Sequence, residues 1–401
     1  MKHMPKRHFL VLSLILALCL LAGCERAPKE PFVGATSSGS LDKEEPGSNL
    51  MFTIEIEDEG DPVGIDFRGV LTAGSVKLQI VDAEDDIYKE WTFDELGTFS
   101  LNTTLYPPPG TYRYGMAWDG PVQLAQYGLA WKPHPIETPE ISPLVLLPGI
   151  GMLLVALGFV IYVAVRKLGW RYLGLGALGW VITVALKFAW AIPFNSPVYE
   201  ALKGSLPEAV ANAVFYIYVG ALTGVFEVGI VWLVLRYTKL GNVAWERAQA
   251  FGFGFGGIEA ALLGLNALVG AATVLIAPAA LPLGALEQVA LANNPIYGLA
   301  PIWERFFTVL VHLFSNVLLF YGARKRESRW FWLAFAYKSG IDAIAAWGQL
   351  TGLDTLGALW AIELVVALWG VAGWLGVRAI RDRYPQSEAN VDRTSDIGRR
   401  T

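Results

Sequence analysis

Two cysteines, Cys19 and Cys24, and four histidines, His3, His8, His134 and His312, are all that the 401 residues contain. So few thiols and imidazoles exclude a disulfide framework, a zinc finger, an iron–sulfur cluster and a His-rich metal site. The helical zinc-protease motif HExxH does not occur in the sequence. Charge is scarce as well. Asp, Glu, Lys and Arg make up 17% of the chain, against roughly a quarter in soluble globular proteins. The net charge is −5. No basic stripe runs along the chain to follow a phosphate backbone, so nucleic acid is excluded as a partner. What abounds is apolar residue, 54% of the total. Nearly all of the excess lies after Ile141, in runs longer than the roughly 18–20 residues that cross a bilayer. A soluble enzyme and a disordered protein are thereby excluded, and membrane lipid is the expected surrounding. The acidic surplus sits mostly in residues 25–140 and selects no partner.

The N-terminus reads as a processing signal over residues 1–23. Lys2, Lys6 and Arg7 precede an apolar run from Phe9 to Leu21, which ends in Leu21-Ala22-Gly23-Cys24. A basic start, a short apolar core and small residues before a cut describe a secretory signal. The last four residues resemble the bacterial lipoprotein box, which implies a bacterial protein with Cys24 as its lipidated first mature residue. Residues 24–48, rich in Pro, Gly, Ser and charge, read as a flexible tether.

Over residues 49–137 the hydrophobic period becomes two. Phe52, Ile54 and Ile56 alternate with polar residues, as do Val76, Leu78 and Ile80, and Tyr112, Tyr114 and Met116. Turn clusters such as EDEGDP, DAEDD, YPPPG and WDGP separate the runs. Short alternating strands with such punctuation predict an exported antiparallel β-sandwich. Tyr88, Trp91, Tyr112 and Trp118 read as core and rim aromatics rather than as a ligand platform.

Residues 141–380 predict a multi-pass α-helical membrane bundle of about seven helices. The expected spans are Ile141–Val165, Tyr172–Ile192, Ala209–Leu235, Ala250–Ile276, Pro301–Tyr321, Trp330–Leu350 and Leu356–Val377. Loop charge orients them. Arg166, Lys167 and Arg171 follow the first span, and Arg236, Lys239 and Arg247 the third. Arg324, Lys325, Arg326 and Arg329 follow the fifth, and Arg378, Arg381 and Arg383 the seventh. The opposite loops, 194–207, 277–300 and 351–355, hold Lys203 and no arginine. The positive-inside rule then puts the β domain outside the cell and the C-terminus in the cytosol. The polar tail, 381–401, reads as disordered.

Ionisable groups at membrane depth are costly, and they usually face a bundle interior. The interior set is Lys187, Glu227, Glu259, Glu304, Arg305, His312, Lys338, Asp342 and Glu363. Glu227, Glu259 and His312 each lie about nine residues, roughly 13 Å, from the cytoplasmic end of their own helix, and Asp342 about twelve residues from it. Four groups from four successive helices thus share a depth. Phe255 and Glu259, and likewise His312 and Asn316, are spaced i, i+4 and share a helix face. Glycines 252, 254, 256 and 257 thin one side of their helix and let a neighbour approach.

Phe-Glu at 226–227, Phe-x-x-x-Glu at 255–259 among glycines, and His-x-x-x-Asn at 312–316 together resemble the YhfC family. That family comprises glutamic-type intramembrane proteases related to PrsW and the CAAX prenyl proteases. The resemblance covers roughly residues 141–380; the lipoprotein signal and the β domain look like additions. It implies that Glu227 activates water, that Glu259 is its polar partner, and that His312 and Asn316 stabilise the oxyanion. A carboxylate in an apolar pocket gains basicity, and imidazole and amide N–H groups suit a developing negative oxygen. This chain departs from the family pattern. Val228 replaces the second Glu of the pair, and Ile230, Val231 and Trp232 fill the stretch where a basic residue is expected. Phe255 stands where a His belongs, and Lys338 with Asp342 where relatives carry His-x-x-x-Asp. Two function readings follow: an intramembrane peptidase acting on a membrane-associated polypeptide, or a non-catalytic lipoprotein sensor or scaffold whose β domain binds an exported ligand. A proton-coupled transporter ranks below both, because no inverted repeat is evident. No cofactor is expected, although a divalent metal held by Glu227, Glu259, His312 and Asp342 stays open.

Overall fold

The computed structural model describes residues 35–351 and 355–385. The signal segment 1–23, Cys24 and the tail beyond 385 lie outside the described residues. The chain divides into two compact units, one of residues up to Thr138 together with Ala279–Ala285, the other of Pro139–Pro278 and the residues from Leu286 onward.

The first unit is a two-sheet antiparallel sandwich. Its strands are β1 (Ala35–Lys43), β2 (Gly47–Ile56), β3 (Val63–Ala73), β4 (Val76–Val81), β5 (Ile87–Phe93), β6 (Gly97–Leu105), β7 (Gly110–Trp118) and β8 (Val122–Lys132). One sheet has the order β1-β8-β3-β6 and the other β2-β7-β4-β5. The tether expected over 24–48 is thus structured from residue 35. ATSSGSLDK pairs with β8 from Ala35↔Trp131 to Lys43↔Val122. A Ser- and Gly-rich run has weak intrinsic strand preference, and pairing with a neighbour overrides it. The inward residues of alternating strands make the core, with Ile54, Phe67, Leu78, Tyr114, Met116 and Leu129 buried. Tyr112 and Trp118 are buried as well, whereas Tyr88 is exposed against Tyr112. Gly74 turns the chain between β3 and β4 at φ +75°, and any Cβ there would strike the Pro121 carbonyl. Only glycine meets both conditions. On β3, Asp66 and Arg68 sit two residues apart on one face. Both are buried and are joined by a fork in which Arg68 Nε donates to Asp66 Oδ1 at 2.6 Å.

Tyr114 donates across the sandwich to the Ala130 carbonyl at 3.5 Å. Burial, and then the nearby Asp66 carboxylate, hold its phenol well above the ordinary tyrosine pKa. The folded state therefore binds this proton more tightly than the unfolded chain. The stability so gained is complete below pH about 10 and is lost as pH rises beyond it. A difference titration of wild type and Tyr114→Phe by phenolate absorbance should show the Tyr114 signal only together with loss of β circular dichroism. Ionisation within an intact sandwich would contradict this.

The second unit is helical: α1 (Leu147–Val165), α2 (Trp170–Ser205), α3 (Glu208–Thr223), α4 (Ile230–Tyr237), α5 (Trp245–Ile276), α6 (Leu283–Ala290), α7 (Pro295–Lys325), α8 (Arg329–Thr351) and α9 (Leu356–Arg381). Residues Gly224–Gly229 join α3 to α4 as a π-turn. Among the described residues six helices are long and apolar enough to cross a membrane, with α3 to α4 counting as one. The remaining expected span, the sixth, Trp330–Leu350, is the helix α8, whose middle carries Lys338 and Asp342. α7 is the axis of the bundle: 72% of its apolar window is buried, against 17–33% for the other five. Leucines, isoleucines and valines of the outer helices, such as Leu154, Ile161, Ile182 and Leu375, point outward and suit a hydrocarbon surrounding. α2 runs past its expected end at Ile192, through Pro193 and Pro197, to Ser205.

Candidate functional site

Glu227 sits in the π-turn, a wide turn with i→i+5 geometry that often marks a functional position. Its flanks, Gly224 and Gly229, bring no side chains, and a Cβ at Gly224 would strike Ser339 and Phe335 of α8. The turn therefore lies flush against α8. Glu227 is 4% exposed. Lys187 of α2 donates to its Oε1 at 2.5 Å and to the Thr223 hydroxyl at 3.3 Å. Lys338 of α8, 3% exposed, reaches Glu227 Oε2 at 3.7 Å, beyond hydrogen-bond range, so this oxygen has no hydrogen-bond partner. The same ammonium donates to both oxygens of Asp342 at 3.1 and 3.3 Å. The i, i+4 spacing on α8 puts the two on one face.

The second cluster centres on Glu259 of α5. His312 Nε2 meets its Oε2 at 2.6 Å, and Trp180 Nε1 donates to the same oxygen at 3.0 Å. Arg305 donates to Oε1 and, with its other terminal nitrogen, to Glu304. With the proton on Nε2, His312 keeps Nδ1 as an acceptor, and that atom is buried without a partner. The Phe255 ring lies 5.2 Å from the imidazole. Glycine makes the approach of the helices close. A Cβ at Gly256 would lie 2.9 Å from Val309 Cα and 3.1 Å from His312 Cβ, and one at Gly252 would lie 2.9 Å from Leu313 Cα. One residue between them, a Cβ at Gly254 would fall on the Leu173 carbonyl of α2.

Four of the expected residues are thus held in two charge clusters: Glu227 with Asp342 through Lys338, and Glu259 with His312. Asn316 lies on the same helix face as His312. Its amide donates at 2.9 Å to the His312 carbonyl one turn back, and its Oδ1 is buried without a partner. Three side chains to which the sequence reading gave no role complete the clusters: Trp180, Lys187 and Arg305. Their signal is the i, i+7 spacing. Trp180 and Lys187 are two turns apart on α2, as are Arg305 and His312 on α7, so each pair shares a face.

A family model described as YhfC intramembrane metalloprotease matches residues 151–366. The match begins after the last strand, β8, and leaves out the β-sandwich strands. No curated protein matches the chain. The family's description carries a metal, and the donor set here does not fit one. No group of three or more His, Cys, Asp or Glu side chains able to hold a metal lies among the described residues. Instead Lys187, Lys338 and Arg305 occupy oxygens of Glu227, Asp342 and Glu259. A divalent ion needs donors with free lone pairs about 2.0–2.2 Å away.

Proposed function

Because the chain belongs to the YhfC intramembrane metalloprotease family, we propose that it hydrolyses a peptide bond of a membrane-associated polypeptide with a water activated by Glu227. The observation that carries this reading is the Glu227 carboxylate itself: buried, held through Oε1 by Lys187, with Oε2 free of hydrogen bonds. An anchored carboxylate with one open oxygen has the form of a general base. Water loses a proton to Glu227 as its oxygen bonds to the peptide carbonyl carbon. The carbonyl oxygen becomes an oxyanion within the field of the Lys338 ammonium, and a fixed positive charge in a dry site favours it. The C–N bond then breaks, and the proton passes from Glu227 to the leaving amine. Glu259, itself held by Trp180 and Arg305, orients His312 through Nε2 and leaves Nδ1 as its free nitrogen.

Loop charges support an orientation with the β-sandwich outside and the C-terminus in the cytosol. Lipidation at Cys24 belongs to the same reading.

One observation favours the scaffold alternative. Each carboxylate of the set is already paired with a fixed cation, and buried ion pairs of this kind also serve purely structural roles. Cleavage of transmembrane model peptides by the full-length protein in proteoliposomes decides between the two. Wild type is expected to cut, and Glu227→Gln and His312→Ala to lose cutting while retaining helical circular dichroism. Equal turnover in all three would remove the peptidase reading.

A further inference from the structure

The two clusters contain a cation where a carboxylate-rich hydrolytic site would place an ion. Lys338 reaches its position from the middle of α8, where a lone ammonium is costly. Its Nζ lies 3.1 and 3.3 Å from the two Asp342 oxygens and 3.7 Å from Glu227 Oε2. These acceptors come from two different elements, α8 and the π-turn, and they surround one point. The other oxygens of the two glutamates are engaged elsewhere: Glu227 Oε1 by Lys187, Glu259 Oε1 by Arg305, and Glu259 Oε2 by His312 and Trp180. A divalent ion introduced here would meet the ammonium groups of Lys338 and Lys187, both held on Glu227, and like charges repel strongly where water is scarce.

We propose that the Lys338 ammonium takes the place of the metal ion in this chain, so that its site works with a built-in organic cation bound between Asp342 and Glu227. The inference rests on the Proposed function for the location of the site alone. The chemistry is complementary: one positive charge, three N–H donors and a tether of four methylenes, in exchange for an ion that must be captured from solution.

The test reads metal, not cleavage. Full-length protein purified in detergent without chelator, and analysed by inductively coupled plasma mass spectrometry, is expected to hold well under one equivalent of Zn²⁺, Mn²⁺ or Co²⁺. EDTA should leave its thermal midpoint unchanged. Lys338→Ser opens the space and frees Asp342 and Glu227 Oε2. This variant should take up one equivalent of added Co²⁺ with a visible d–d band, whereas Lys338→Met, which fills the space with an apolar stem, should not. One tightly bound divalent ion in wild type, with a midpoint that falls in EDTA, would overturn the inference. So would a folded Lys338→Ser that takes up no Co²⁺; if that variant does not fold, the wild-type metal content decides alone. A wild type that cuts peptides and carries a metal defeats this inference and spares the peptidase reading. A metal-free protein that cuts nothing does the reverse.

Discussion

Glu227→Gln is expected to lower peptide cleavage by about 10²–10⁴-fold, the usual contribution of a positioned general base. At about 1.4 kcal/mol per tenfold, this is a loss of about 3–6 kcal/mol of transition-state stabilisation. Glutamine keeps the shape of the side chain and an oxygen able to accept from Lys187, so the π-turn keeps its support from α2. What disappears is the carboxylate charge and the open Oε2 near Lys338. Initial rates on a transmembrane peptide in proteoliposomes measure the effect. The kcat should fall with KM little changed, since the lost contact acts on the transition state and not on substrate capture. A variant that cuts within threefold of wild type would mean that Glu227 serves only to neutralise Lys187 and Lys338.

The second large effect lies in packing. Gly254→Val is expected to prevent recovery of folded protein, because its Cβ would occupy the Leu173 carbonyl oxygen and α2 has no soft side chain there to move. Overpacking in well-packed cores typically costs about 1–3 kcal/mol, and a clash with backbone belongs at or above the top of that range. Gly256→Ala should be milder for folding but severe for function. It presses on Val309 Cα and His312 Cβ and so shifts His312 against Glu259. Displacement of about 1 Å in a catalytic constellation can cost on the order of 10²-fold. Gly257→Ala meets nothing within 4 Å and should behave like wild type. Thermal midpoints in detergent, read by fluorescence-detected size exclusion, rank the three; a midpoint for Gly254→Val equal to that of Gly257→Ala would refute the packing argument.

Much of this architecture is legible from the residues. Long apolar runs fix the helices because no other element satisfies the backbone in lipid, and period-two patterns such as VKLQIV fix strands of the sandwich. The failures have identifiable causes. Strand β1 reads as a tether because its partner β8 lies about ninety residues away in sequence and supplies the order that ATSSGSLDK lacks. α2 passes its prolines because neighbouring helices sustain it where propensity would end it. At the site, the depth of Glu227, Glu259, His312 and Asp342 follows from counting along each helix. Their grouping depends on helix rotation, which counting alone does not fix. Arg305 belongs to the interior set, but its partner Glu259 follows only from how α7 faces α5. Asn316 shares a face with His312, yet it bonds along its own helix rather than across the bundle.

The widened turn at Gly224–Gly229 gives the chain an unusual vulnerability. It holds a residue more than an ordinary coil needs, and each residue advances a helix by about 100°. Loss of a single codon there, Val225 for instance, would mend the spiral and swing Glu227 away from its ammonium neighbours. The protein would be disarmed with every charged side chain still encoded.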